Sequence, residues 1–592
     1  MIPQPLSEAL WPLALLLPLL LAAGMLAQGT RRLALTLAPL AALPALGLAV
    51  FPEPGGVERA RIPWLLLDTS FGLTPTTRVF LLFTAVLWTL SAVYGRYYLA
   101  TDARQHRFFA FFLVTMTGNL GLIMARDLAS FYLFFTLMSF VAYGMIVHDG
   151  TDRAFRAGRV YLVLTIIGEA FILPAVLVAT SATGTLLLDD LAADLAGAPV
   201  RDAVILLALL GYGVKAGALG LHVWLPLAHP AAPTPASAVL SGAMIKAGLL
   251  GWIVFFPGGE AELVGWGLLV MAVGGVAAFY GVLAGVVQSE PKTILAYSSV
   301  SQMGFMMVGL GGGLTAPGSW PLALSAVTLY AIHHAFAKGA LFLGVGVAED
   351  VEGHRDLLRR LVLAGLVLGS LAIAGFFLTS GAAAKTLLQS AAELAPEPWG
   401  LLFYELLSIA AIASTIIMVR FLVAVWPARG EERGGPLGLL LPWAAAVAGL
   451  PVVLLFLPEP PSELLLSPST VWPVAAGVLL AGGAWWLRRW LRRWLRRRVR
   501  RRLVPDIPEG DLLEPATRLL SSLYGVWSAR IAPAWGRFVE RLPVRGGLYE
   551  KGAGRLRAAA AGLEARMQYW TVAGALALAL AALLLALAAL AV

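Results

Sequence analysis

LLGYGVKAGALGLHVWLPLAHPAAPTPASAVLSGAMIKAG, residues 209–248, places Lys215 and Lys246 inside runs that otherwise suit hydrocarbon. An ionisable side chain at bilayer depth costs roughly 3 kcal/mol on insertion scales, so it marks function rather than packing. Gly211, Gly213, Gly217 and Gly220 surround Lys215, and Pro226, Pro230, Pro233 and Pro235 follow it. That pattern predicts a discontinuous or closely packed helix, the kind of element from which transporters build ion sites near the midplane. His222 lies seven residues after Lys215, close to two full turns, so the two are expected on nearly one side of the helix.

Outward from this stretch the composition agrees. Of 592 residues, 59% are hydrophobic and 13% charged, the mean hydropathy is +0.81, and soluble domains average about 25% charged. The chain reads as an all-α polytopic membrane protein. The run from Leu10 to Leu26 has no basic segment before it and is long enough to span, so it is read as a helix rather than a cleavable signal. With no cysteine, disulfides, thiolate metal sites and cysteine nucleophiles are excluded.

Apolar runs near 9–27, 32–51, 78–98, 108–125, 127–147, 157–180, 202–226, 237–256, 262–287, 294–311, 320–347, 361–390, 400–425, 437–457, 470–487 and 569–591 give about sixteen expected helices. With the N-terminus outside, the inside loops collect Arg31–Arg32, Arg96 to Arg107, Arg153 to Arg159, Lys292 and Arg355 to Arg360. The outside loops collect Asp189, Asp190, Asp194, Glu260, Glu262, Glu393 and Glu397. That asymmetry is the positive-inside pattern. The expected location is therefore the cell inner (plasma) membrane, with the basic face cytoplasmic.

In WWLRRWLRRWLRRRVRRR, residues 485–502, leucine and tryptophan recur every four residues against arginine. A basic amphipathic helix of this kind lies along headgroups and attracts anionic lipid; nucleic acid is the weaker reading directly after a span. The expected organisation is N-terminal helices over 1–107, additional helices over 437–487, a basic amphipathic inner-surface arm over 488–568 and an anchor helix over 569–592. Pro505, Pro508, Pro515, Pro533 and Pro543 prevent the arm from being one continuous rod.

Further buried charges follow. His334 and Lys338 are four residues apart in LYAIHHAFAKGALFLG (329–344) and share a helical face; His333 points about 100° away. Lys385 sits in GFFLTSGAAAKTLL (375–388), where Gly375, Gly381 and the Thr379–Ser380 pair offer an unwinding point. Glu169 stands mid-span in YLVLTIIGEAFILPAV (161–176), costly unless paired. Glu169, Lys215, His222, Lys246, His334, Lys338 and Lys385 are thus the candidate proton path. Thr136, Ser241, Ser298, Ser301, Gln302 and His333 are candidate relays.

LHVWLPLAHPAAPTPASAVLSGAMIKAG (221–248), EPKTILAYSSVSQMGFM (290–306), HHAFAKGALFLGVG (333–346) and FLTSGAAAK (377–385) together resemble the antiporter-like proton-channel subunits. These are the L, M and N subunits of respiratory complex I, the A and D subunits of Mrp-type cation/proton antiporters, and subunits of membrane-bound hydrogenases. The resemblance implies two inverted five-helix repeats, each with a broken helix, here 108–256 and 262–425. It makes Lys215 the lysine of the first broken helix and Lys246 the connecting lysine. Lys338 becomes the central lysine, with His334 beside it, and Lys385 the lysine facing the exit.

Three departures stand out. Thr136 occupies the place where the family usually has a glutamate, Gln302 stands where many relatives carry histidine, and no proline precedes Thr379. The expectation is that Glu169 replaces the missing carboxylate from a neighbouring helix and pairs with Lys215. The implied function is a proton-translocating subunit of a multi-subunit membrane complex, moving H+ with Na+ coupling left open. Implied partners are other membrane subunits, antiporter-like paralogues among them. A self-sufficient carrier, a scaffold with a degenerate path and a membrane subunit of inorganic-carbon uptake are the other readings. No redox site, bound cofactor or metal is expected in this chain: it has neither a dinucleotide fingerprint nor a P-loop.

Overall fold

A computed structural model describes residues 4–51, 60–62, 69–351, 356–426, 436–457 and 470–495. Among these, twelve helices are long and apolar enough to cross a membrane, and the only strands form a short hairpin pairing Ala60–Ile62 with Thr69–Phe71, beside two isolated bridges, Phe71 with Ala125 and Asp127 with Leu187. The chain is a multi-pass, predominantly helical membrane protein. The expected segments 9–27 and 470–487 hold shorter apolar helices, and 569–591 lies outside the described residues, as does most of the expected arm. The helix Trp472–Leu495 is continuous, so the basic run from Arg488 begins inside the same helix as the apolar segment before it.

The helices Pro291–Leu314 and Trp320–Asp350 form the centre, with their apolar stretches wholly buried, whereas only 33% of the corresponding stretch of Asp152–Thr183 is covered. Val163, Ile166 and Leu177 project from its outer face, as a lipid-facing helix requires. Close approach to the centre depends on glycine: a Cβ on Gly274 of the helix Val264–Val286 would lie 2.6 Å from the Gly304 carbonyl oxygen, so that helix and Pro291–Leu314 touch backbone to backbone.

Two of the expected spans are interrupted. The segment 202–226 is a helix over Arg201–Ala216 and a second over Trp224–Ala231, parted at Gly217 (φ +73) and Gly220 (φ +86). The expected shared side for Lys215 and His222 is therefore wrong, because the seven-residue spacing crosses a break. The segment 361–390 also splits, into Asp356–Ala374 and Ser380–Glu393. No proline is needed there, since Gly375 (φ +77) and Leu378 (φ 61) enter the left-handed region and end the first helix.

Helix ends sort onto two faces. Leu99, Asp102, Asp149, Ala232, Lys292 and Glu349, all from segments expected on one side, line a single cavity of about 560 Å3. Thr74, Arg126, Leu188, Val254 and Pro321, expected on the other, line a second of about 600 Å3. Each cavity thus gathers residues from loops expected on one side.

Candidate functional site

Two buried polar clusters lie inside the bundle. The first is built on the helix Asp152–Thr183, where Tyr161, Thr165 and Glu169 follow at spacings of four and share one face. Lys215 ends the facing helix, whose approach is set by Gly168 and Gly211: a Cβ on Gly168 would lie 3.2 Å from the Gly211 carbonyl oxygen. Lys215 Nζ donates to the Tyr161 hydroxyl at 3.0 Å, and that hydroxyl donates to the Ser139 carbonyl at 2.5 Å. The ammonium lies 5.2 Å from the Tyr161 ring centre and 5.8 Å from the Trp224 ring, a partial cation–π cage.

Glu169 accepts a hydrogen bond from Thr136 Oγ1 at 3.0 Å; its second oxygen is buried without a partner. Thr136 therefore touches the carboxylate that the sequence lacks at position 136. The expected direct ion pair is not formed: Lys215 is held by Tyr161 instead. Glu169 and Lys215 line one cavity of about 10 Å3 together with Tyr161, Thr165 and Ser139, close to the smallest space that holds a water.

The second cluster starts from a π-helical turn at Leu240–Met244. Such turns free a carbonyl and recur at functional sites. The freed Ser241 carbonyl accepts from Lys246 Nζ at 2.6 Å, and the same nitrogen lies 2.6 Å from His334 Nδ1. The Ser241 hydroxyl meets that of Ser299 at 2.8 Å, and Ser299 donates to the Leu295 carbonyl at 3.0 Å. Lys338 Nζ closes the row on that carbonyl at 2.9 Å and on Ser298 Oγ at 2.8 Å. Lys246 and Lys338 are thus linked across three helices, and His334 Nε2 is left buried and unpartnered. Among the described residues no carboxylate bonds to Lys246, Lys338 or Lys385.

His222 sits in the break after Lys215, its ring 5.4 Å from Tyr280 and 6.4 Å from Tyr297. It touches the helix that carries Ser298. His333 Nδ1 lies 2.9 Å from Ser380 Oγ, at the start of the half-helix bearing the buried Lys385. Gln302 accepts from the Tyr330 hydroxyl at 2.6 Å and donates to Ser414 at 3.1 Å. Ser301 instead donates to the Ala278 carbonyl at 2.7 Å, a helix-to-helix hook away from the lysines. Sequence reasoning passed over Tyr161 and Tyr330; the two four-residue steps from Tyr161 through Thr165 to Glu169 were the available signal for the first.

Residues 125–381 match the NADH:quinone oxidoreductase/Mrp antiporter transmembrane family. The chain is 28% identical over 335 residues to hydrogenase-4 component B of Escherichia coli, covering 54% of this chain and 50% of that one. It is 27% identical over 304 residues to an Na(+)/H(+) antiporter subunit of Alkalihalophilus pseudofirmus, covering 49% of this chain and 59% of that one. The chain spans about half the length of the relatives it matches. A subunit in the structure of the Mrp complex from Dietzia sp. superposes with a TM-score of 0.66 at 24% identity, over 91% of this chain and 63% of that one. That likeness carries the fold. The matched residues 125–381 of the NADH:quinone oxidoreductase/Mrp antiporter transmembrane family hold the buried row from Glu169 to Lys338.

Proposed function

We propose that this chain moves protons through the membrane as an antiporter-like subunit of a multi-subunit complex, of the Mrp cation/proton type or a related hydrogenase- or complex-I-like pump. The observation that carries the reading is the contact of Lys246 Nζ with His334 Nδ1 at 2.6 Å, which joins the two halves of a buried protonatable row. In this reading residues 108–256 and 262–425 are inverted repeats, each ending its proton path at a broken helix. Glu169 and Lys215 form the first station, with Tyr161 holding the lysine until a shift lets it approach the carboxylate. Lys246, His334 and Lys338 form the middle, with the Ser241, Ser299 and Ser298 hydroxyls between them. Lys385, reached past His333 and Ser380, faces the exit.

The protein sits in the inner membrane with its basic loops cytoplasmic. Its partners are further membrane subunits, with anionic lipid at residues 488–502. Driving chemistry lies in the partners. The test is pH-gradient dissipation in everted vesicles carrying the whole assembly, with and without sodium, comparing wild type with Lys338→Met. Sodium-dependent proton movement lost in the variant supports the antiporter form; movement that requires an electron donor supports the redox-driven form. Wild-type movement in an assembled Lys338→Met complex overturns the proton path.

A further inference from the structure

The 560 Å3 cavity at the basic-loop face has no place in the row just described, yet Val345 and Glu349 in its lining belong to the helix that carries Lys338. Its rim is charged: Asp102, Asp149, Arg104, Glu290, Lys292 and Glu349 all line it. His148 holds Asp102 at 2.9 Å, Arg153 pairs with Glu290, and Lys292 Nζ donates to the Ala232 carbonyl at 3.0 Å. A space of this size with such walls fills with water. Its floor is apolar, made by Pro230, Ala232, Pro233 and Val345.

Below that floor one helical face leads inward. Glu349, Val345, Phe342 and Lys338 follow at spacings of four, three and four along the helix Trp320–Asp350, so they stack on one side. From Val345 to Lys338 the rise is about 10 Å, too far for one hydrogen-bonded transfer, which spans about 3 Å between heavy atoms. His229 fills the gap. Its ring stacks on Phe342 at 4.6 Å between centres, it is wholly buried, and it immediately precedes Pro230 in the floor. Neither ring nitrogen has a hydrogen-bond partner. A packing residue stacked this way has no need of two nitrogens, and leaving both buried and unsatisfied is unfavourable.

We propose that this vestibule is the aqueous mouth through which Lys338 is protonated, with His229 as the relay between its floor and the lysine. The inference rests on the proton path proposed above and adds an entrance to it. The proton enters on one imidazole nitrogen and leaves from the other, so the ring returns to neutrality after each transfer.

The chain contains no cysteine, which makes the test direct. Everted vesicles carrying the whole assembly with Glu349→Cys are treated with a membrane-impermeant cationic methanethiosulfonate, and the assembly with the unaltered chain serves as background. Proton movement is compared before and after the reagent in the same vesicles. A fall of about tenfold or more is expected when the reagent meets the basic-loop face, and no fall from the opposite face. His229→Phe, which keeps the stacked ring, is expected to lose movement by about a hundredfold, within the range of a positioned proton-transfer group, while co-purifying with its partners as wild type does. Labelled Glu349→Cys with unchanged movement overturns the mouth. Wild-type movement in His229→Phe beside a dead Lys338→Met overturns the vestibule alone; wild-type movement in both overturns the path and the vestibule with it.

Discussion

Lys246 Nζ and His334 Nδ1 lie 2.6 Å apart although 88 residues separate them in the chain. Their meeting depends on the π turn that directs Lys246 across the Ser241 carbonyl. An imidazole that can both take and give a proton beside an ammonium is a transfer point between the two halves of the bundle.

Replacing His334 by Gln keeps a polar side chain near Lys246 but removes the exchangeable ring proton. Proton movement is expected to fall by about a hundredfold with assembly intact, read in vesicles against co-purification of the neighbouring membrane subunits. A His334→Gln complex that pumps at the wild-type rate contradicts the transfer role.

Tyr161→Phe deletes the hydroxyl between Lys215 and the Ser139 carbonyl while leaving the aromatic face near the ammonium. The buried lysine then lacks a hydrogen-bond acceptor, which is expected to cost about 1–3 kcal/mol. The check is the thermal unfolding midpoint of the purified complex, expected to drop, together with slowed proton movement. An unshifted midpoint would mean that Lys215 is held by something else.

Gly217 sustains the first break. At φ +73 an alanine costs roughly 1–2 kcal/mol, and its Cβ would also lie 2.3 Å from Leu225 Cδ1. Gly217→Ala is expected to lower the unfolding midpoint, and adding Leu225→Ala is expected to relieve only the steric share. Equal midpoints for wild type and Gly217→Ala would refute the left-handed turn.

At the rim of the vestibule, burial holds the His148 ring below its ordinary value of 6.5. Burial raises the Asp102 carboxyl, but the Arg104 N–H and the His148 ring outweigh it and keep the group below 3.8. The bond is thus one from a neutral imidazole to a carboxylate. The unfolded loop takes up the His148 proton more readily than the folded one, so stability is full above pH 6.5 and declines as pH falls below it. Hydrogen exchange in the loops around Asp102 and His148 is expected to quicken between pH 7 and 5 relative to His148→Gln. The same pH response in both proteins would remove His148 as its source.

Much of the site was legible because charge in an apolar run is conspicuous: Lys215, Lys246, Lys338 and Lys385 are all buried. The glycines around Lys215 announced the first break. The second could not be read from proline, since Gly375 and Leu378 make it through backbone conformation. Spacing misled for His222 because a period applies only within a continuous helix. Which carbonyl holds Lys246 and which hydroxyl holds Lys215 are tertiary facts without a sequence period. Glu169 was identified from its cost in hydrocarbon, but its Thr136 bond and the intervening Tyr161 required the packed bundle.

The decisive measurement is proton movement in everted vesicles for Glu169→Gln and for Glu169→Gln combined with Thr136→Glu. The oxygens of Thr136 and Glu169 are 3.0 Å apart, so the second change returns the carboxylate to the same cavity from the neighbouring helix. Loss by about a hundredfold in the single variant with substantial recovery in the double one is the expected result. Undiminished movement in the single variant would contradict the account.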